Sequence, residues 1–111
     1  MFGLFGRGSV HDLTPEEVAR GLAADKILLI DVREPNETAN ERIAGAVLAP
    51  LSQFDPVDLP DPRGRTVVFT CASGIRSVKA AEIAQAAGLA FDSHLAGGIK
   101  AWKSAGLPIE A

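Results

Sequence analysis

The sequence of 111 residues contains one cysteine, one methionine, one tryptophan and no tyrosine. A single cysteine excludes a disulfide within the chain and leaves no paired-cysteine pattern for a metal site. A thiol that is not held in a disulfide is typical of reducing compartments, so we expect a cytoplasmic protein. Because cysteine is so scarce, the one that is present is the first residue to explain.

The sequence also lacks a block of basic residues and a long apolar run. A formal net charge of −3 argues against a nucleic acid partner, since such proteins carry clustered Lys and Arg. The apolar start, MFGLFG, lacks the basic residues and the roughly 7–15-residue apolar stretch of a signal peptide, and no run reaches the roughly 20 apolar residues of a membrane span. We expect residues 1–9 to be a flexible segment and residues 10–111 to form a single domain.

The cysteine, Cys71, stands between a strand pattern and a helix pattern. The apolar, β-branched run Thr66–Thr70 precedes it, and a short loop with glycine and arginine follows it. An alanine-rich stretch over residues 77–87 predicts a helix that ends at a Gly88 cap. The position of a thiol at the bend of such a strand, loop and helix is typical of a nucleophile.

Two features of this segment favour the anionic form of the thiol. A free cysteine has a pKa of about 8.5, and nearby cations or a helix N-terminus lower it. The predicted helix directs its positive end and its unpaired amides at the loop, and Arg76 adds a permanent charge. Consecutive amides in a tight loop also cradle anions. We therefore expect the loop to hold a negative sulfur and to attract a small anion.

Helix and strand patterns alternate along the rest of the chain. A capping box with proline at the first helical position, Thr14-Pro15-Glu16-Glu17, predicts a helix to about Ala24. Further helices are expected at residues 36–40 and 98–105, strands at 27–32, 46–49, 66–70 and 90–95, and an irregular crossover at 50–64. This alternation predicts a parallel sheet that binds ligands beyond the carboxyl ends of its strands.

Four motifs together resemble a single-domain rhodanese. They are the loop at residues 71–76, the segment DVREP at 31–35, the segment IAGA at 43–46, and the segment LAGGIKAW at 95–102. The match runs from about Leu13 to Pro108, and the order and spacing of the motifs make it specific. The resemblance implies an α/β fold with a mostly parallel five-stranded sheet flanked by helices on both faces. It also implies a sulfurtransferase that carries sulfur as a persulfide on Cys71.

The residues of the loop are the candidate reactive and donor-binding groups. Cys71 is the expected nucleophile, because an inert buried thiol does not need such a loop. Arg76 opposes the helix dipole where it stands, so we expect an anionic ligand to compensate its charge. The other expected donor-binding residues are Ala72, Ser73, Gly74, Ile75 and Ser77. For Ser77 the interpretation as a helix cap is preferred.

A second group of residues is expected to support the loop. Asp31 and Arg33 lie on one face of a strand end and are similar to rhodanese residues that fix the loop through hydrogen bonds. Gly97 and Gly98 are expected to let the backbone approach the loop closely.

Other residues are assigned no part in the chemistry. His11 and His94 are far apart in the sequence, and we interpret them as strand or surface histidines rather than as metal ligands or a general base. Arg42 stands where many rhodaneses have histidine, and Thr38 where an aromatic residue is usual. We interpret Arg42 as a packing and hydrogen-bonding position, so this departure concerns local structure rather than activity.

The sequence therefore predicts a sulfurtransferase of the thiosulfate:cyanide type. The expected donor is thiosulfate or a similar small anion, and the acceptor is cyanide, a thiol or a sulfur-acceptor protein, with no cofactor or metal. Two alternatives stay open, a sulfur-carrier module that acts with a partner protein and a cysteine-dependent phosphatase. The phosphatase is less favoured because the C-x4-R spacing of Cys71 and Arg76 is one residue shorter than the C-x5-R of protein tyrosine phosphatases.

Overall fold

The computed structural model describes residues 10–111, whose strands form one five-stranded sheet. The strands are β1 (His11–Leu13), β2 (Ile27–Asp31), β3 (Val47–Leu48), β4 (Thr66–Thr70) and β5 (Ser93–Leu95). Their order is β1-β5-β4-β2-β3, and every neighbouring pair is parallel. The predicted α/β fold is confirmed, and the sheet is parallel throughout rather than only in most of its pairs.

Three of the four helices of the described chain connect strands, and the fourth follows β5. The helices are α1 (Pro15–Ala23), α2 (Pro35–Thr38), α3 (Ile75–Ala86) and α4 (Gly98–Ser104), and two 3-10 turns lie between β3 and β4. The predicted capping box opens α1, since Thr14 Oγ1 accepts the Glu17 N–H at 3.1 Å and the Glu17 carboxylate accepts the Thr14 N–H at 2.8 Å. Such a box satisfies two amides that the first helical turn leaves without partners.

The core has two layers because strand side chains alternate between the faces of the sheet. On one face, Leu28, Ile30 and Phe69 pack against the alanines of α3. On the other face, Leu29 and Val68 contact a cluster supplied by α1 and α4, namely Val18, Ile99 and Trp102. Both faces of the sheet are thereby covered, as the continuous apolar runs of β2 and β4 indicate.

The structure corrects the expected start of the helix after the loop and places a strand that the sequence pattern does not show. Helix α3 begins at Ile75, two residues before the predicted start, and its N-cap is Gly74 in a left-handed conformation with φ of 103°. Ser77 is therefore the third residue of the helix and not its cap. The fifth strand, β1, was not located in the sequence, because three residues are too few to show an alternating pattern.

The predicted flexible segment at residues 1–9 lies outside the described residues, so the division of the chain at residue 10 stays a prediction. Between residues 10 and 111, no helix is long and apolar enough to cross a membrane.

The packing of Phe69 gives a test of this core. Its ring is fully buried and meets the Phe54 ring edge-on at a centroid distance of 5.7 Å. We expect Phe69→Ala to lower the free energy of unfolding in urea by about 3–5 kcal/mol, because it leaves a cavity that the sheet cannot close. Val57→Ala is the control, since that side chain is 83% exposed and its loss should change stability by under about 0.5 kcal/mol. Equal effects would contradict the two-layer core.

Candidate active site

The cysteine loop and the turn before α4 meet at the carboxyl edge of the sheet. The carbonyl of Cys71 accepts the Ile99 N–H at 2.9 Å, and the carbonyl of Ala72 accepts the Lys100 N–H at 3.1 Å. Gly98 makes this contact possible, because a Cβ at that position would overlap the Cys71 carbonyl oxygen and lie 2.7 Å from the Ala72 carbonyl. At Gly97, a Cβ would lie 2.6 Å from the Ala101 side chain. Both glycines also have positive φ.

The sulfur of Cys71 lies inside its loop and is almost entirely buried. The backbone N–H groups of Gly74 and Ser77 donate to Sγ at 3.1 and 3.3 Å, and Ser77 Oγ lies 3.5 Å from it. Burial by itself raises the pKa of the Cys71 thiol, but hydrogen bonds from Ser77, Gly74 and Ser73 outweigh it and leave that pKa below its usual value. The loop therefore stabilises a thiolate.

Two other loop residues lie beside an open groove. Ala72 and Ser73 line it, and Ile75, the first residue of α3, has 79% of its surface exposed. The remaining lining of the groove comes from α2 with the segments before and after it and from α4, namely Arg33, Glu37, Asn40, Glu41, Ile99, Lys100 and Lys103. A small polar molecule can reach the loop from this side.

Arg76 is paired with a carboxylate of the chain itself. Its Nη1 and Nη2 donate to the two carboxylate oxygens of Glu37 at 2.7 and 2.9 Å. The hydrogen bonds that Arg76 donates hold the pKa of Glu37 at about 2, and the same hydrogen bonds raise the pKa of Arg76. The chain itself thus supplies a carboxylate beside Arg76, and the binding of an anionic donor by Arg76 stays a prediction.

Asp31 and Arg33 form a buried ion pair, with Nη2 and Oδ2 2.8 Å apart. The same Nη2 donates to the carbonyl of Glu41 at 2.8 Å. Arg33 therefore anchors the segment after α2, which forms one wall of the groove. The hydrogen bonds of Arg33 go to Asp31 and Glu41, and the expectation that this pair supports the cysteine loop stays a prediction.

Arg42 makes the hydrogen bonds that the sequence predicts for its position. Its Nη1 donates to the carbonyl of Thr38 at 3.2 Å, and its Nε lies 3.4 Å from Glu110 Oε1. The backbones of Arg42 and Glu110 also form an antiparallel bridge. The residue therefore fastens the end of the chain to the segment after α2.

Sequence reasoning missed the connection of His94 to the loop. His94 is buried in β5, with Nδ1 2.8 Å from Ser77 Oγ and Nε2 2.6 Å from Asp12 Oδ1. No local pattern marks this contact, because Asp12 precedes His94 by 82 positions and lies in the strand that was not located. His11 instead faces Asp92 near the surface. Within residues 10–111, no cluster of three or more His, Cys, Asp or Glu could hold a metal ion.

The parallel sheet and the cysteine loop at its carboxyl edge define the class of this protein. The model of the rhodanese-like domain family matches residues 14–105, so the chain belongs to that family and the predicted resemblance is confirmed.

Relatives of the chain differ in how much is known of them. An uncharacterized protein of Synechocystis is 41% identical over 96 residues, which cover 86% of this chain and 54% of that protein. A sulfurtransferase of Allochromatium vinosum is 36% identical over 104 residues, 92% of this chain and 96% of its own length. The chain thus spans about half of the first relative and nearly all of the second.

Among solved structures, a Rhodopseudomonas palustris protein of unknown function superposes with a TM-score of 0.78 at 29% identity. The superposition covers 95% of this chain and 88% of that protein, which is described as a possible tyrosine phosphatase. The shared fold therefore occurs with more than one suggested chemistry.

Gly98 and Gly64 give a matched test of the contact between α4 and the loop. Both have positive φ, but a Cβ at Gly64 meets nothing within 4 Å. We expect Gly64→Ala to cost about 1–2 kcal/mol of backbone strain. Gly98→Ala should cost at least about 2 kcal/mol more, because the new methyl displaces the Cys71 carbonyl. Urea unfolding measures both costs, and equal values would contradict the close approach.

Proposed function

We propose that the protein is a sulfurtransferase in which Cys71 carries sulfane sulfur as a persulfide. One observation supports this most, namely that the buried Cys71 sulfur accepts two backbone N–H groups at 3.1 and 3.3 Å within a loop open to a polar groove. Such a loop stabilises a negative sulfur before and after it takes up a second sulfur atom. Membership in the rhodanese-like family and the similarity to a sulfurtransferase agree with this chemistry.

In the first half-reaction, the Cys71 thiolate attacks the outer sulfur of thiosulfate or a similar small anionic donor. A new sulfur–sulfur bond forms on Cys71, and the donor's sulfur–sulfur bond breaks so that sulfite leaves with the electron pair. The N–H groups of the loop would stabilise the developing charge. Ala72 and Ser73 line the groove through which the donor would enter, and Ile75 is exposed beside the loop.

In the second half-reaction, a thiophilic acceptor removes the outer sulfur from the persulfide. With cyanide as acceptor, a carbon–sulfur bond forms, thiocyanate leaves, and the Cys71 thiolate is regenerated. The 111 residues contain no second thiol, so a thiol acceptor would come from another molecule. We propose a reducing compartment such as the cytoplasm, since the thiol must stay free between turnovers.

A sulfur-carrier role with a partner protein is the second candidate, and the state of Arg76 favours it. With Glu37 paired to its guanidinium, Arg76 presents less positive charge to a free anion such as thiosulfate. The exposed side chain of Ile75 beside the loop suits contact with a protein surface better than contact with an inorganic ion. This role keeps Cys71 as the sulfur carrier and predicts slow turnover with free thiosulfate.

A phosphatase is the third candidate, and the length of the loop speaks against it. Four residues separate Cys71 from Arg76, one fewer than in protein tyrosine phosphatases. We propose that the shorter loop suits a single sulfur atom better than a phosphoryl group with three equatorial oxygens.

Mass spectrometry of the intact protein tests the sulfurtransferase proposal directly. After incubation with thiosulfate, we expect the mass to rise by one sulfur atom and to return to its first value when cyanide is added. Cys71→Ser is the control and should take up no sulfur. An unchanged wild-type mass would contradict thiosulfate as donor. Fast hydrolysis of aryl phosphates that Cys71→Ser abolishes would assign the site to phosphoryl transfer instead.

Variants of the ion pair of Arg76 and Glu37 test whether Arg76 attracts thiosulfate to the loop. If Arg76 attracts the donor, Glu37→Gln should lower the KM for thiosulfate about two- to fivefold, because a negative charge near the donor is removed. Arg76→Ala should raise the KM, and it should slow alkylation by neutral iodoacetamide less.

Asp58→Asn is the matched control, because it removes the same charge from an exposed position that is not part of the groove beside the loop. An unchanged KM in both Glu37→Gln and Arg76→Ala would mean that the pair only holds α2 against the loop. That result would favour the sulfur-carrier role.

A further inference from the structure

A chain of hydrogen bonds leads from the buried sulfur to the protein surface. Ser77 Oγ lies 3.5 Å from Cys71 Sγ and 2.8 Å from His94 Nδ1, and His94 Nε2 lies 2.6 Å from Asp12 Oδ1. Cys71, Ser77 and His94 are buried, whereas 74% of the Asp12 side chain is exposed. The chain thus joins a thiol that has almost no contact with solvent to a carboxylate in water.

Three elements of the fold bring these side chains together. Asp12 of β1 and His94 of β5 are direct partners in the parallel register, so their side chains lie on the same face of the sheet. His94 is likewise paired with Phe69 of β4, which packs on the face covered by α3. Ser77 lies in the first turn of α3 and faces the histidine from above the sheet. The contact is built into the sheet and does not depend on a mobile loop.

The direction of each hydrogen bond follows from the groups at its ends. The Asp12 carboxylate can only accept, so the hydrogen in that bond belongs to His94 Nε2. In a neutral imidazole Nδ1 is then an acceptor, and the Ser77 hydroxyl donates to it. The oxygen of Ser77 is left to accept the Cys71 S–H. Every donor therefore points from the sulfur towards Asp12, which is the order that a proton transfer needs.

We propose that Ser77, His94 and Asp12 form a proton relay that removes the proton of Cys71. The S–H bond breaks as Ser77 Oγ takes up that proton, and the hydroxyl proton of Ser77 passes to His94 Nδ1. The products are a thiolate that accepts a hydrogen bond from Ser77 and an imidazolium that Asp12 stabilises. Atoms and charge balance within these four residues, and no further reactant takes part.

His94 and Asp12 are positioning residues in this scheme, because they act on Cys71 only through Ser77. The relay rests on the proposed function in one respect, that Cys71 is the nucleophile. The groups that face His94 are Asp12 from β1, Phe69 from β4, Ser77 from α3 and Gly74 from the loop, and Cys71 lies beyond Ser77. Among these residues, only Asp12 and Cys71 can carry a negative charge. Arg76, the residue before Ser77, is paired with Glu37.

The ultraviolet absorbance of the thiolate measures the relay without any sulfur transfer. One cysteine and no tyrosine in the sequence mean that this signal comes from Cys71 alone. His94→Asn keeps a hydrogen-bond acceptor but cannot become a cation, and Ser77→Ala removes the connection. In both variants we expect thiolate formation to move to higher pH and alkylation by iodoacetamide at neutral pH to slow about tenfold. Asp12→Asn should slow it less, about two- to fivefold, since its charge is exposed.

A second histidine and aspartate pair, His11 of β1 and Asp92 just before β5, provides the control. His11 Nε2 lies 3.4 Å from Asp92 Oδ2 with side chains 68% and 39% exposed. His11→Asn and Asp92→Asn should leave the alkylation profile unchanged. Adding His94→Asn to Ser77→Ala should have no further effect, because the histidine acts through that hydroxyl.

The relay is overturned if folded His94→Asn shows the wild-type pH profile, or if the double variant is slower than Ser77→Ala alone. If His94→Asn does not fold, Asp12→Asn decides, since its exposed position tolerates the change and a wild-type profile there overturns the relay. The two proposals fail separately. If the wild-type protein takes no sulfur from thiosulfate but the variants show the expected shifts in thiolate formation, thiosulfate transfer is refuted and the relay is supported.

Discussion

The buried sulfur of Cys71 is an atom that water cannot stabilise, so the protein must supply its hydrogen bonds. Two backbone N–H groups meet on it because Gly74 adopts a left-handed conformation and α3 begins immediately afterwards. The start of the helix is therefore part of the site and not only its support. The contact of Gly98 with the loop serves the same end, since it holds the carbonyls of Cys71 and Ala72 away from the sulfur and against α4.

Four of the charged residues around the loop form two ion pairs. Glu37, whose pKa of about 2 keeps it ionised, neutralises Arg76, and Asp31 neutralises the buried Arg33. Each pair also ties one segment to another, since Arg76 links α3 to α2 and Arg33 holds the carbonyl of Glu41. Lys100 also lines the groove and belongs to no ion pair among the described residues, so the donor would meet this cation as well as the amides of the loop.

Local sequence patterns predicted much of the fold. The runs that became β2 and β4 are long, apolar and bounded by turn residues, and the capping box at Thr14 marks the start of α1 without reference to the rest of the chain. The prediction of secondary structure was incomplete or wrong where a sequence pattern was short or where one residue suited two positions. The strand β1 has three residues, and Ser77, a residue type that favours the N-cap, lies instead in the first turn of α3.

The sequence by itself determined the class of the domain and the position of its thiol, because strand and helix periods, caps and the bend at Cys71 are encoded by neighbouring residues. The tertiary structure alone decided which groups act on that thiol. Arg76 meets Glu37 across 39 positions, and His94 meets Asp12 across 82. Such pairs depend on strand order and register, and these follow from the packing of the whole sheet and not from any local pattern.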